Sequence, residues 1–189
     1  MQKWADAIAE WLVRCSVIEK GDKKLYSYAV YSFLLFWLPV FLALLFGSIM
    51  GAVKQSILLI FPFMMIRKFS GGYHASRLSV CLVCSSLLLY LCILVACRIP
   101  ASAIVIFVTL TACLSLIIFS PIEHQNRILN SKEKIAYKKV TGIFVGGFYI
   151  AVLLLKFIGF EREAVCISVG ILLTAGLQVP CIVKKIIRK

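Results

Sequence analysis

Arg67-Lys68-Phe69-Ser70-Gly71-Gly72-Tyr73-His74-Ala75-Ser76-Arg77 is a polar, basic, glycine-bearing segment set between two greasy ones, and Leu78-Ser79-Val80-Cys81-Leu82-Val83-Cys84 opens the second of them. Working outward in both directions, 62% of the 189 residues are hydrophobic and only 15% are charged. A domain dissolved in water has a polar surface to cover, so an apolar excess of this size requires lipid as solvent. Runs of about 20 apolar residues cross the hydrocarbon layer as helices, because backbone groups there must pair within the segment. Six such runs lie at roughly 28–47, 49–66, 78–97, 101–119, 141–158 and 164–183. The second is interrupted by Lys54, which predicts a tilted or partly re-entrant span, or one extended upstream with the ammonium reaching for the interface. The expectation is an all-α polytopic membrane protein with about six transmembrane helices.

A formal charge of +13 would suggest nucleic acid in a soluble protein. Its distribution says otherwise. With both termini placed in the cytoplasm, the inner segments 1–27, 67–77, 120–139 and 184–189 hold 17 of the 21 Lys and Arg. Lys54, Arg98, Lys156 and Arg162 are the remainder. An even number of spans satisfies this positive-inside pattern, and the charge is accounted for by anionic lipid head groups, with no nucleic acid as partner. The start of the chain lacks the long apolar core and cleavage site of a signal peptide. Trp4, Ile8, Trp11, Leu12, Cys15 and Ile18 recur at helical spacing among Lys3, Asp6, Glu10, Arg14 and Glu19, which predicts an amphipathic interfacial helix over 1–25. One membrane domain, 1–189, takes in this helix and two cytoplasmic loops, 67–77 and 120–139. The eight cysteines are spread in or beside spans, where they act as small apolar residues, and a disulfide framework is not expected.

His74 and Cys81 lie seven residues apart at a membrane–water boundary. On one continuous helix they would be separated along the axis by about 10.5 Å, too far to hydrogen-bond. Gly71 and Gly72 loosen the backbone just ahead of the histidine, so Ser70 to His74 is expected to be non-helical, with the third span starting near Ala75 or Ser76. A thiol becomes a strong nucleophile when ionised, and a neighbouring imidazole favours the thiolate. Arg67, Lys68 and Arg77 add positive potential, while low dielectric opposes ionisation and keeps the reactive sulfur near the interface. Cys84, one turn deeper, is expected to be more buried and the poorer nucleophile.

A second polar constellation, Ser120-Pro121-Ile122-Glu123-His124-Gln125-Asn126-Arg127, follows the fourth span on the same predicted face. Pro121 stops the helix. A carboxylate or amide here is placed to orient the imidazole, with Glu123 and Asn126 the candidates, and a solvated polar loop is the plain alternative.

These stretches resemble the accessory gene regulator protein B family, membrane cysteine endopeptidases of Gram-positive quorum sensing. The resemblance covers nearly the whole chain, and its specific part is Arg67-x3-Gly71-Gly72-x-His74-x6-Cys81 followed by Pro121-x-Glu123-x2-Asn126. Tyr73 departs from a pattern in which small residues also occur. The likeness implies that His74 and Cys81 are catalytic, and that Arg67 and Gly72 shape or charge the site. It also implies a short precursor peptide as partner, with an amphipathic leader and an acidic tail. The tail is removed through a Cys81 thioester, and the remainder closes as a thiolactone or lactone. Lys132, Lys134, Lys138 and Lys139 are candidates for attracting that tail. A homodimer is implied, no cofactor or metal is, and both termini and the active site would face the cytoplasm at the cell membrane.

Three other readings stay open. Cys81-Leu82-Val83-Cys84 has the C-x-x-C spacing of a thiol oxidoreductase. A small transporter would be expected to carry ionisable or broken-helix sites at mid-membrane, which these spans nearly lack. A zinc peptidase would have to use Cys81 with both histidines, His74 and His124, in a chain without H-E-x-x-H.

Overall fold

The computed structural model describes residues 2–71, 78–122 and 130–187, the side chains of 78–82 and 184–187 excepted, and its regular elements there are all helical. They are α1 (Gln2–Arg14), a 3-10 turn (Lys20–Asp22), α2 (Lys23–Ile49), α3 (Val53–Ser70), α4 (Leu78–Arg98), α5 (Ala103–Phe119), α6 (Ser131–Ile158) and α7 (Glu161–Ile187). Helices α2 to α7 fall in order on the six apolar runs. The stretches Lys20–Ile49, Ser131–Ile158 and Glu161–Val183 are long and apolar enough to cross a membrane, and Val83–Arg98 and Ala103–Phe119 are shorter apolar helices. This is the all-α architecture of a polytopic membrane protein. Two compact units are distinguished, Met1–Leu42 and Ala43–Lys189.

In the first unit, α1 packs beside the start of α2 through small and polar groups. Ala5, Ala9 and Ser27 are buried. The Asp6 carboxylate accepts from Ser27 Oγ and from Gln2 Nε2 at 3.3 Å. Glu10 accepts from Arg14 at 3.1 Å and from Lys23 at 3.4 Å, and its carboxyl is held below the usual range, first by the Arg14 bond and then by Lys23. Trp4 and Trp11 are left 72% and 61% exposed on α1, so its apolar residues are displayed rather than packed. The helix is shorter than predicted. Ser16 takes the left-handed conformation at φ 56, and Val17 N–H closes onto Leu12 O at 3.1 Å, a C-terminal turn that ends α1 before Cys15 and Ile18.

In the second unit, α7 is the buried centre, and every residue from Ala164 to Ile171 is buried. Around it Ile66 of α3, Ala112, Cys113 and Leu116 of α5, and Val145 and Val152 of α6 form one core with Ala164, Ile167 and Ile171. Lipid tails are as apolar as these side chains, so close packing rather than escape from water holds such helices together. Gly170 shows how close the approach is: a Cβ there would run into the Leu59 carbonyl of α3 and lie 2.8 Å from the Pro62 ring.

Hydrogen bonds fix the helix directions. Lys54, at the start of α3, pairs with Glu163, at the start of α7, at 2.7 Å. Ser70, at the end of α3, meets Gln178 near the end of α7. The two helices therefore run parallel, and α5 runs with them because its C-terminal Ser120 also meets Gln178. Helix α6 runs the other way, with Lys156 Nζ donating to Ala101 O beside the start of α5 and Tyr137 packing on Phe69. One end of this unit thus gathers the end of α3, the end of α5 and the start of α6. Lys54, which interrupts the second apolar run, is thus held by an ion pair to the start of α7.

Candidate active site

Gly71 and Arg67 are the sequence-predicted site residues whose side chains or backbone are fully described. Gly72, His74, Glu123 and Asn126 lie outside the described residues, as do Ala75 and Ser76, where the third span was expected to begin. Cys81 is placed by its backbone in the first described turn of α4.

Ser70, expected in a non-helical segment, is the last residue of α3, and the break comes at Gly71. With Arg67 and Lys68 in the last turn of α3, two cations lie against the negative end of the helix dipole. Arg67 is half-buried with its guanidinium carbon 5.7 Å from the Phe63 ring centroid, and Lys68 Nζ stands 5.7 Å from that of Phe69. Phe69 in turn stacks on Phe144 at 5.6 Å and tilts onto Tyr137 at 5.7 Å, fixing the end of α3 against the start of α6.

The chain leaving α3 and the chain leaving α5 are joined here. Ile122 N–H donates to Ser70 O at 3.0 Å. Gly71 has φ +73, and a Cβ on it would come within 2.6 Å of Ile122 O, so backbone lies against backbone at this position. Gln178 Nε2 donates to Ser70 O at 3.3 Å and to Ser120 Oγ at 3.0 Å. Ser70 Oγ donates to Gly71 O at 3.2 Å. Ser70 and Gln178 are fully buried, and Ser120 is 5% exposed. Where the two polar stretches begin, Gly71 lies against Ile122; their remaining residues 72–77 and 123–129 lie outside the described residues.

Basic residues collect at this end. Helix α6 starts at a capping box in which Asn130 Oδ1 accepts from Ser131 N at 2.7 Å and Glu133 accepts from Asn130 N at 2.9 Å. Its first turns carry Lys132, Lys134, Lys138 and Lys139.

Sequence reasoning missed Ser70, Ser120 and Gln178. The signal was present: Gln178 is a carboxamide in the apolar run 164–183, and a polar side chain inside a membrane helix marks a partner or a site. Leu89, Ile93 and Ala96 make the buried stripe of α4, and Cys84 falls off that stripe, outside the protein core; the side chain of Cys81, against which its burial was to be compared, lies outside the described residues.

A sequence model of the family described as Accessory gene regulator B matches residues 5–181. No curated protein and no solved structure matches the chain significantly.

Proposed function

This chain belongs to the accessory gene regulator B family, a membrane protein family with a role in processing quorum-sensing peptides, and on that premise we propose that it is a multi-pass cysteine endopeptidase whose site faces the cytoplasm. His74 takes the proton of Cys81 Sγ. The thiolate attacks the scissile carbonyl of a short precursor peptide, and the imidazolium protonates the departing amine of the acidic tail. The C–N bond breaks as the thioester forms. A thiol or hydroxyl within the bound peptide then attacks the thioester, releases Cys81 and closes a thiolactone or lactone ring. Cyclisation outruns hydrolysis when that nucleophile is held close and water is scarce, which a site at the membrane boundary favours.

The observation that carries this reading is the joint between Gly71 and Ile122. It brings the start of the Gly-Gly-x-His segment beside the start of the Pro-x-Glu-x-x-Asn segment, at the end from which α4 and its Cys81 depart. Glu123 or Asn126 is then the orienting partner of His74. The Arg67, Lys68 and α6 lysines supply a positive surface for an acidic tail. The enzyme acts as a homodimer in the cell membrane and uses no metal or cofactor.

The test is co-expression with the short precursor peptide encoded beside its gene, read by mass spectrometry. A peptide adduct on Cys81 and a freed tail are expected, and Cys81→Ala and His74→Ala should abolish both. Tail release that survives Cys81→Ala would refute the mechanism. The Cys81-x-x-Cys84 spacing favours a thiol–disulfide reading as the second one, and Cys84→Ser separates the two: it stops an oxidoreductase and leaves the peptidase near its full rate.

A further inference from the structure

We propose that Gln178 is the positioning residue of this site, clasping the chain that leads into the His74 segment to the chain that leads into the Glu123 segment. The proposal rests on the peptidase reading for its catalytic consequence, and on the geometry alone for the clasp.

Ser70 O has no hydrogen to give, so the Gln178 atom facing it at 3.3 Å must be the amide nitrogen. That nitrogen carries two hydrogens. One goes to Ser70 O and the other to Ser120 Oγ, so a single side chain of α7 ties the ends of α3 and α5. Ser70 O accepts twice, from Gln178 and from Ile122 N, which binds the clasp to the Gly71–Ile122 joint. Gln178 is fully buried, and its Oε1 has no partner among the described residues. A Leu or Met of similar volume would pack there without burying an unpaired carbonyl. What the amide supplies, and an apolar residue cannot, is the pair of N–H donors.

His74 lies four residues beyond Ser70, and Glu123 three beyond Ser120. Letting the two strands of chain drift apart costs orientation of the imidazole rather than affinity for a peptide held along its leader and tail. A displacement of about 1 Å near a reacting centre is enough to lower turnover by roughly 100-fold.

The full-length protein in nanodiscs is followed by hydrogen exchange and by precursor cleavage. Gln178→Met is expected to speed amide exchange around Gly71 and Ile122 by about 10-fold, with the 164–173 amides of α7 unchanged. It should lower kcat by about 10- to 100-fold and leave KM within about threefold. Ser120→Ala removes one acceptor and is expected to lower kcat by about fivefold.

Unchanged exchange and unchanged kcat in Gln178→Met overturn the clasp. Faster exchange with normal kcat overturns the positioning role. If Gln178→Met fails to fold, unchanged exchange around Gly71 and Ile122 together with unchanged kcat in Ser120→Ala overturns the proposal. Wild-type protein that shows the clasp by exchange yet never cleaves the peptide sinks the peptidase reading and leaves the clasp standing.

Discussion

Replacing Gly71 by alanine tests the joint most directly. Gly71 has φ 73 and ψ −164, a region that only glycine enters freely, and holding another residue there costs about 1–3 kcal/mol. The added Cβ would also stand 2.6 Å from Ile122 O, closer than a carbon and an oxygen tolerate. Ile122 must retreat, and its 3.0 Å bond to Ser70 O weakens or breaks, for about 1 kcal/mol more. Together these give roughly 2–4 kcal/mol, or at least about a 30-fold rise in local opening, since 1.4 kcal/mol is tenfold. Amide exchange at Ile122 in Gly71→Ala reports this opening, and precursor cleavage should fall with it. Gly142→Ala is the control, because a Cβ there meets nothing within 4 Å. It should be neutral, or stabilising by up to about 1 kcal/mol through helix propensity. Gly71→Ala with Ile122 exchange within about threefold of wild type would falsify the idea that backbone crowding at this position fixes the two segments.

Gly170→Ala should loosen the α3–α7 contact. The new methyl meets the Leu59 carbonyl and the Pro62 ring, and overpacking of this kind costs about 1–3 kcal/mol. A lowered midpoint in denaturing-detergent titration checks it; an unchanged midpoint counts against the tight approach. Asn130→Ala removes the cap of α6 and should cost about 1 kcal/mol, seen as faster exchange in the first turn of α6 alone. Glu163→Gln breaks an ion pair whose lysine side chain is 69% exposed, so a change of less than about 1 kcal/mol is expected, and a larger loss would mean the pair is shielded from solvent.

The positions of the six helices α2 to α7 were legible because hydrophobic runs survive without any knowledge of neighbours, although only Lys20–Ile49, Ser131–Ile158 and Glu161–Val183 are long and apolar enough to cross a membrane. Where partner geometry decides, the sequence was silent. Helix α6 starts at Ser131, ten residues before the predicted span, because Lys132-Glu133-Lys134-Ile135-Ala136-Tyr137-Lys138-Lys139 is polar enough to read as loop. The capping box Asn130/Glu133 was the local clue to the true start. Lys54 looked like an interruption because its partner, Glu163, stands over a hundred residues away. Gly71 was singled out for backbone freedom, and the structure supplies the reason in Ile122. Gln178 went unnoticed for the same reason as Lys54: its partners, Ser70 and Ser120, are remote in sequence and individually unremarked.

Helix α3 finds its two polar ties, Glu163 and Gln178, only after more than a hundred further residues have been made. During synthesis it must wait beside α4, α5 and α6 with Lys54 and the Ser70 carbonyl unmatched by α7. The order of translation therefore delays the tie between the ends of α3, α5 and α7 until residue 178 has left the ribosome.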